Sequence, residues 1–263
     1  MAPSPIQLAI VGAAGRMGSS LLENAAGRDD LQISHAIVRT ERSATGELGP
    51  EKLQPTDDIA AVGRADVAID FSAPEAFLDA AKHCADAGVP LVSGTTGLSD
   101  KQWREIDDLS SEVPIFYAAN YSVGINILAH LVERAASGFG DGVDIEIFEA
   151  HHRHKVDAPS GTAKLLGRAA AEGRSLNLED SATWARHGHT GPRGDDEIGF
   201  QVLRGGDIVG EHTTYFCADG ERLELTHRAT DRGIFARGAL RAARWLYGRP
   251  PGRYNMSDVL FDE

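Results

Sequence analysis

The amino-acid sequence predicts an α/β protein with two domains, one built on a parallel sheet and a central α+β domain with an open mixed sheet. Three observations lead to this prediction. The chain has 263 residues, of which 42% are hydrophobic, which is enough for two cores. In the first half, apolar runs alternate with amphipathic helical patterns, as in a parallel sheet covered on both faces. In the second half, strand-like runs follow one another across short turns, which is typical of antiparallel hairpins.

The first half contains five strand-like runs with helical patterns between several of them. The apolar runs cover residues 6–11, 31–38, 67–71, 90–94 and 114–119. The helical patterns cover residues 17–26, 75–87 and 100–109. Residues 40–56 are polar and are expected to form a surface excursion.

The pattern changes after Asn120. A long helical pattern at 123–139 is followed by a strand-like run at 143–151 and a helix at about 162–172. Three further strands are predicted at 197–204, 208–218 and 221–230, with short turns at 205–207 and 219–220 that suggest hairpins. A last helix is predicted at 233–248, and the tail is expected to pack back on the first domain. We therefore place one domain at 1–122, completed by 232–263, and the other at 123–231.

Residues 10–18, IVGAAGRMG, combine the end of a strand, a glycine turn and the start of a helix. Gly12, Gly15 and Gly18 give the spacing GxxGxxG rather than GxGxxG. Glycines permit a tight turn and the close approach of a pyrophosphate, whose charge then faces the amides of the helix N-terminus. A plain strand-to-helix turn would also fit the glycines. Because the segment opens an alternating α/β half, we favour a Rossmann-type dinucleotide-binding domain.

The end of the second strand bears on coenzyme choice. An acidic residue about 20 residues past the glycine loop normally binds the adenine-ribose hydroxyls. This chain has Val38 and then Arg39 at that place. A guanidinium without a neighbouring acid predicts that a 2′-phosphate is accommodated, although Arg39 could equally be an ordinary solvated arginine.

The segment EAHHRHKVDAPSGTA, residues 149–163, places five consecutive potential cations, His151 to Lys155, in a chain of net charge −13. Concentrated positive charge at a strand end favours a small anionic ligand. Ser160, Gly161 and Thr162 then begin a helix whose amides could bind a carboxylate. Crowding is expected to lower the pKa values of the clustered cations, so that they could serve as proton donors near neutrality.

Zinc binding and simple helix capping are weaker interpretations of this segment. Three histidines within four residues could bind zinc, but adjacent residues rarely converge on one ion and the HExxH spacing is absent. The hydroxyls of Ser160 and Thr162 could simply cap a helix, which is compatible with anion binding. Residues 70–72, 94–97 and 118–122 each follow a predicted parallel strand, where ligands of open α/β sheets bind, but each could also be turn chemistry.

Composition restricts the partners. The acidic chain is expected to repel nucleic acid and anionic membranes. It contains no apolar run of about 20 residues, and its N-terminus is unlike a signal peptide. The two cysteines, Cys84 and Cys217, fit reduced thiols better than a disulfide framework, so the cytoplasm is the expected location.

At these residues the sequence resembles the 4-hydroxy-tetrahydrodipicolinate reductase (dihydrodipicolinate reductase) family, along essentially the whole chain. The resemblance runs through VGAAGRMG, DFSAPEA, GTTG, AANYSVGIN, RHGHTG and IGFQVLRGGDIVGEH, and EAHHRHKVDAPSGTA is its most specific part. It implies reduction of a small cyclic dicarboxylate by a nicotinamide coenzyme, with loss of water, in lysine and diaminopimelate biosynthesis. It also implies a homotetramer in which the second domain binds substrate and mediates assembly.

The resemblance further implies roles for individual residues. His151 and Lys155 would handle protons, with Lys155 as the donor, and His152, Gly161 and Thr162 would bind a substrate carboxylate. The coenzyme would contact Gly12, Ala13, Ala14, Gly15, Arg16, Met17, Arg39, Gly94, Thr95, Thr96, Ala118, Ala119, Asn120 and Tyr121. Many family members carry an acid where this chain has Val38, so NADPH is expected to be used better than NADH.

One alternative is a related enzyme, and the other is not an enzyme. Another Rossmann-type reductase could act on a different carboxylate, although no tyrosine here is followed by lysine four residues later, as a short-chain dehydrogenase requires. A redox-sensing, dinucleotide-binding regulator would need a basic element that reads DNA, and this acidic chain shows none.

Overall fold

The computed structural model describes residues 4–42 and 46–261. The chain divides into two compact units. Unit 1 comprises 1–123 together with 233–263, and unit 2 comprises 124–232.

The elements alternate in the first half as the sequence predicts. The strands are β1 Ile6–Val11, β2 Leu31–Ile37, β3 Pro55–Thr56, β4 Val67–Asp70, β5 Leu91–Ser93, β6 Pro114–Tyr117, β7 Asp144–His151, β8 Ala182–Thr183, β9 Ile198–Arg204, β10 Gly210–Ala218, β11 Glu221–Ala229 and β12 Gly252–Tyr254. The α-helices are α1 Arg16–Ala25, α2 Pro74–Ala87, α3 Asp100–Ser110, α4 Val123–Phe139, α5 Gly161–Gly173, α6 Leu178–Ser181, α7 Gly233–Leu246 and α8 Met256–Phe261. Short 3₁₀ turns occupy Thr40–Arg42, Ile59–Arg64 and Gly140–Gly142.

Unit 1 is built on a seven-stranded sheet in the order β12-β6-β5-β4-β1-β2-β3, and every pairing is parallel. Alternate residues of β1 enter different cores. Leu8 and Ile10 belong to the core formed with α1 and α7, whereas Ala9 and Val11 belong to the core formed with α2. Burial on both faces explains why these strands are apolar throughout. The Rossmann-type parallel sheet is confirmed.

Unit 2 has a five-stranded sheet in the order β11-β10-β7-β9-β8, with both parallel and antiparallel pairs. Residues of α4 and α5 pack on its core together with Ile145 and Ile147 of β7. The open mixed sheet is therefore confirmed, and so is the hairpin of β10 and β11 across residues 219–220. The hairpin suggested across 205–207 is wrong. β7 lies between β9 and β10, pairing in parallel with β9 and antiparallel with β10, so these two strands do not pair with each other.

Several short elements lack a sequence signal long enough to predict. The polar segment 40–56 contains the 3₁₀ turn and the two-residue edge strand β3, while residues 43–45 of it lie outside the described residues. The tail forms β12, which pairs in parallel with β6, and α8. Within the described ranges, no helix has both the length and the apolar character that a membrane crossing requires.

Candidate active site

The glycine loop of unit 1 joins β1 to α1. Gly12 has φ +81°, and a β-carbon there would lie 2.5 Å from the carbonyl oxygen of Phe71. Both the backbone conformation and this close approach therefore exclude a side chain. A β-carbon on Gly18 would likewise collide with the backbone of Gly12 and Ala13. The conformation of the loop therefore depends on close backbone contacts that leave no room for a side chain at Gly12 or Gly18.

The amides of this loop divide into two groups. Gly12 and Ala13 both donate to the carbonyl of Ile37, at 3.0 and 3.1 Å, which fixes the loop to the end of β2. Arg16 and Met17 lie in the first turn of α1, where N–H groups have no intrahelical acceptor. This helix has no side-chain cap at Gly15 and no acidic residue in its first turn, so its N-terminus is suited to an anion.

A cavity of about 640 Å³ borders the loop. Its lining includes Gly12, Ala14 and Gly15, followed by Val38 and Arg39 from the end of β2. Val38 is buried and Arg39 is exposed. The cavity thus connects the glycine loop with the position predicted to select the coenzyme.

A buried carboxyl group organises the neighbouring loops of unit 1. Asp70, with no exposed surface, accepts hydrogen bonds from the hydroxyls of Ser93 and Thr95 at 2.7 Å, and from Ser72. The Tyr121 hydroxyl donates to the Ser93 carbonyl at 2.6 Å. Burial raises the pKa of Asp70, against the lowering effect of the three hydroxyls. The network joins the carboxyl ends of β4 and β5 to the segment after β6.

The predicted coenzyme residues at these strand ends differ in accessibility. Thr96 is exposed, but Tyr121 is 2% exposed and its ring packs against Phe71 and Phe116. Only the backbone of Tyr121 is therefore suited to ligand contact. A β-carbon on Gly94 would collide with the Phe71 ring. With the glycine cradle, the helix N-terminus and the adjoining cavity, the residues present fit a dinucleotide.

In unit 2, the central feature is the pair of Glu149 and His151 at the end of β7. Residues two apart on a strand share a face, and here the two side chains meet. The His151 Nδ1 lies 2.6 Å from Oε2 of Glu149. The Glu149 side chain has no exposed surface, whereas that of His151 keeps 12% of its surface exposed.

Arg204 and Ser160 complete the surroundings of Glu149. Arg204 forms a bidentate pair with the carboxylate, with both N–O distances 2.7 Å, and the Ser160 amide donates to Oε1 at 3.0 Å. Burial alone would raise the pKa of Glu149. The hydrogen bonds from His151, Arg204 and Ser160 outweigh burial and lower that pKa to about 2. Glu149 is therefore ionised at neutral pH.

The N-terminus of α5 lies next to this carboxylate. Ser160 is the N-cap residue, and its Oγ accepts a hydrogen bond from the Ala163 amide at 3.1 Å. The same oxygen lies 3.1 Å from Nε2 of the buried His212. Burial, reinforced by the nearby His151, lowers the pKa of His212 to about 3, which keeps it neutral. Gly161 and Thr162 form the first turn of α5, which contains no acidic residue.

Two members of the predicted cation cluster lie beside carboxylates. Lys155 pairs with Asp157, its Nζ lying 2.8 Å from Oδ1, and His151 pairs with Glu149. The nearest charge to each of these two residues is therefore negative. The expected lowering holds for His152, where partial burial acts together with the positive charge of Arg232 to lower the pKa. In the described parts of the chain, no group of three His, Cys, Asp or Glu side chains could hold a metal ion.

Sequence reasoning assigned no role in these sites to Glu149, Arg204 or His212, and it placed Asp70 in a strand-end loop of the site without its role in holding the loops. Glu149 could have been found, because it stands two residues before His151 on the same strand face. Arg204 and His212 lie more than 50 positions from their partners, and only the order of strands around β7 brings them together. The signal that places them is tertiary.

Comparisons with known proteins cover both units. A family model described as dihydrodipicolinate reductase, N-terminus, matches residues 6–121, and one described as dihydrodipicolinate reductase, C-terminus, matches residues 124–260. The 4-hydroxy-tetrahydrodipicolinate reductase of Acinetobacter baumannii (strain AYE) is 49% identical over 262 residues, which cover 97% of this chain and 96% of that protein. The protein of the same name from Alkalilimnicola ehrlichii is 48% identical over 265 residues, with 97% and 98% covered.

Solved structures show the same fold. A dihydrodipicolinate reductase from Paenisporosarcina sp. TG-14, solved with dipicolinate bound, superposes with a TM-score of 0.75. The match covers 95% of this chain and 97% of that one at 22% sequence identity, so the likeness is one of fold.

Proposed function

The chain belongs to the dihydrodipicolinate reductase family, and from that premise we propose that it reduces 4-hydroxy-tetrahydrodipicolinate to tetrahydrodipicolinate, with loss of water. This reaction is a step of diaminopimelate and lysine biosynthesis. The observation that carries the proposal is the near-complete match to relatives of that name at 49% identity. The proton-handling and anion-binding groups of unit 2 supply chemistry that such a reduction needs.

The coenzyme is a nicotinamide dinucleotide, which supplies the hydride when bound. Its phosphates would lie against the glycine loop and the first turn of α1, because the backbone there excludes side chains and the helix dipole favours an anion. The strand-end loops around Thr96 and residues 118–121 would complete the binding surface. The buried Asp70 would hold those loops in place through Ser93 and Thr95.

The protein's own proton chemistry is assigned to His151 and Lys155. After loss of water, the reduction adds a hydride to one carbon and a proton to its neighbour. The coenzyme supplies only the hydride, so a side chain beside the substrate must supply the proton. Lys155 is the donor. His151, whose ring is held by Glu149, is its proton-handling partner. The substrate carboxylates are bound by His152 and by the first turn of α5 at Gly161 and Thr162.

The preferred coenzyme is NADPH. Val38 offers no acceptor for ribose hydroxyls, and Arg39 lines the cavity beside it with an exposed guanidinium. A charge-assisted hydrogen bond to a 2′-phosphate contributes about 1.5–3 kcal/mol, which corresponds to roughly ten- to hundredfold in specificity.

The active assembly is a homotetramer that works in the cytoplasm. Unit 2 leaves apolar side chains of its strands 38–42% exposed, at Val202, Leu203 and Leu223, and a subunit interface would cover such residues. Cys84 and Cys217 are free thiols, as expected in a reducing compartment. Light scattering at micromolar concentration should give about four times the chain mass of 28.1 kDa, and a monomer would contradict the assignment.

Coenzyme oxidation tests the proposed reaction. The near-ultraviolet absorbance of NADPH is followed with purified protein and the cyclic dicarboxylate, with dipicolinate as a competing ligand. We expect substrate-dependent oxidation that dipicolinate inhibits. The proposal would be refuted by protein that binds NADPH but does not oxidise it when this substrate is added.

A further inference from the structure

We propose that Glu149 is a positioning residue that holds His151 as the Nδ1–H tautomer, so that Nε2 is the atom available to exchange a proton. The same carboxylate ties His151 to the N-terminus of α5. The role of this proton in catalysis rests on the proposed function. The tautomer itself is a property of the protein without any ligand.

The hydrogen-bond geometry determines the tautomer. An ionised carboxylate only accepts hydrogen bonds, so a ring nitrogen that approaches it to 2.6 Å must carry the proton. Arg204 keeps Glu149 ionised through its two contacts of 2.7 Å. Because Nδ1 is committed to this donation, the neutral ring has its lone pair on Nε2.

The surroundings of Nε2 agree with this assignment. A β-carbon on Gly210 would lie 3.1 Å from Nε2 of His151, so the glycine leaves space at this atom. The ring of His212 meets that of His151 edge-on, with centroids 5.1 Å apart, and restricts its rotation. Nε2 therefore faces a space that the absence of a side chain at Gly210 keeps open.

Glu149 also connects His151 to the groups proposed to bind substrate. Its Oε1 accepts from the Ser160 amide, which immediately precedes the first turn of α5. Its partner Arg204 donates to the carbonyl of Asp157 at 2.7 Å. The segment that carries His152 and Lys155 is thus fastened at its C-terminal end to the same ion pair that fixes His151. One buried carboxylate sets the relative positions of the proton-handling ring and the anion-binding helix.

If the ion pair of Glu149 only stabilised the fold, its loss should affect the enzyme in the same way as the loss of another ion pair on the same strand. β7 provides such a second pair as a control. Glu146 stands three residues earlier on β7 and forms its own bidentate pair with Arg186, at 2.7 and 2.9 Å. Its further partners are Arg193 and Gln201 rather than His151. If ion pairs of β7 served only stability, Glu146→Gln and Glu149→Gln would affect the enzyme alike.

The experiment combines tautomer and rate. Long-range ¹H–¹⁵N spectra of protein labelled in histidine are recorded at a pH where the ring is neutral, and the His151 signal is identified by its loss in His151→Asn. We expect the Nδ1–H tautomer in the unmodified protein and the Nε2–H tautomer in Glu149→Gln, since an amide can donate to Nδ1. We also expect kcat to fall by about 10²-fold or more in Glu149→Gln, as for loss of the carboxylate that orients a catalytic histidine.

The controls separate this role from stability and from the proposed reaction. Glu146→Gln should keep kcat within about threefold, and Glu149→Asp should retain the Nδ1–H tautomer and part of the rate. An Nε2–H tautomer in the unmodified protein, or equal loss of kcat in Glu146→Gln and Glu149→Gln, would overturn the inference. The spectrum of the unmodified protein needs no substrate, and His151→Asn is the one variant on which its assignment depends. Failure of the proposed reaction would instead appear as absent turnover in unmodified protein whose His151 shows the expected tautomer.

Discussion

The two units form their candidate sites from different materials. In unit 1 the surface proposed to bind the coenzyme phosphates is backbone: a glycine turn, a helix N-terminus and strand ends, contributed largely by one contiguous motif. In unit 2 the corresponding site is made of side chains from β7, β9, β10 and the loop after β7, with the ion pair of Glu149 and Arg204 at its centre. The site of unit 1 should therefore lose its function when a methyl group is added to a glycine. The site of unit 2 should lose its function when a charged side chain is neutralised.

The buried carboxyl groups of the two units show the same contrast. Asp70 in unit 1 is held by the hydroxyls of Ser93 and Thr95, and burial raises its pKa. Glu149 in unit 2 is also buried, but a guanidinium and an imidazole overcome the effect of burial, and its pKa is about 2. A carboxyl group with a raised pKa fits a positioning role among uncharged loops. An ionised one fits a site that manages charge.

The largest effect is expected for the proton-handling pair. Lys155→Ala and His151→Ala should each lower kcat by about 10²- to 10⁴-fold, the range for a positioned acid or base. The double variant should lose less than the product of the two single losses, the result expected of a pair that acts as a unit. Steady-state NADPH oxidation measures both. His154→Ala, an exposed neighbour without an assigned role, should stay near the unmodified rate.

The next largest effect should fall on unit 1. Gly12→Ala places a β-carbon 2.5 Å from the Phe71 carbonyl at a positive φ, so the turn must move. We expect the Kd for NADPH, from fluorescence titration, to rise about 10²-fold or more, as loss of two or more charge-assisted contacts would produce. Gly138→Ala is the matched control, since a β-carbon there meets no atom within 4 Å. Unchanged affinity in Gly12→Ala would show that the loop does not bind the coenzyme.

Lowering the pH should change the contributions of Glu149 and Asp70 to the free energy of unfolding in opposite directions. The lowered pKa of Glu149 gives stability that is complete above about pH 4.5 and lost as the pH falls toward 2. This difference between the unfolded-state and folded-state pKa values corresponds to about 3 kcal/mol in the free energy of unfolding. Denaturant unfolding at three values, about pH 7, 5 and 3, should therefore show the stability advantage over Glu149→Gln shrinking in acid.

Asp70 should behave in the opposite way. Its folded-state pKa is raised, so its contribution is present at low pH and is lost as the pH rises through that pKa. Relative to the unmodified protein, Asp70→Asn should accordingly gain stability as the pH rises. Parallel pH dependence of the Asp70→Asn and Glu149→Gln differences would contradict the electrostatic contrast between the units.

The smallest expected effect is coenzyme selectivity. The unmodified protein should favour NADPH over NADH by roughly ten- to hundredfold in kcat/KM. Val38→Glu should move that ratio toward NADH, because a carboxylate accepts from the ribose hydroxyls and repels a 2′-phosphate. Equal kcat/KM for both coenzymes in the unmodified protein would remove the role given to Arg39.

The sequence was most informative where structure is local. The strand, turn and helix around Gly12 are contiguous, and their periodicity and glycines predict the parallel sheet and its first loop. The site of unit 2 is harder to predict, because Arg204 and His212 reach Glu149 and Ser160 only through the strand order β10-β7-β9. The turn at 205–207 even suggested a hairpin that does not form. Charge clusters in a sequence likewise reveal the cations but not the carboxylates, such as Asp157, that fold back on them.

The division of labour between the units is tested most directly by measuring coenzyme affinity and single-turnover rate on the same two variants. For Lys155→Ala we predict an unchanged Kd for NADPH and a single-turnover rate lowered by about 10²-fold or more at saturating coenzyme. For Gly12→Ala we predict the reverse: a higher Kd for NADPH, and a single-turnover rate that recovers as the NADPH concentration is raised. Near-normal turnover in Lys155→Ala, or loss of coenzyme binding in that variant, would contradict this division.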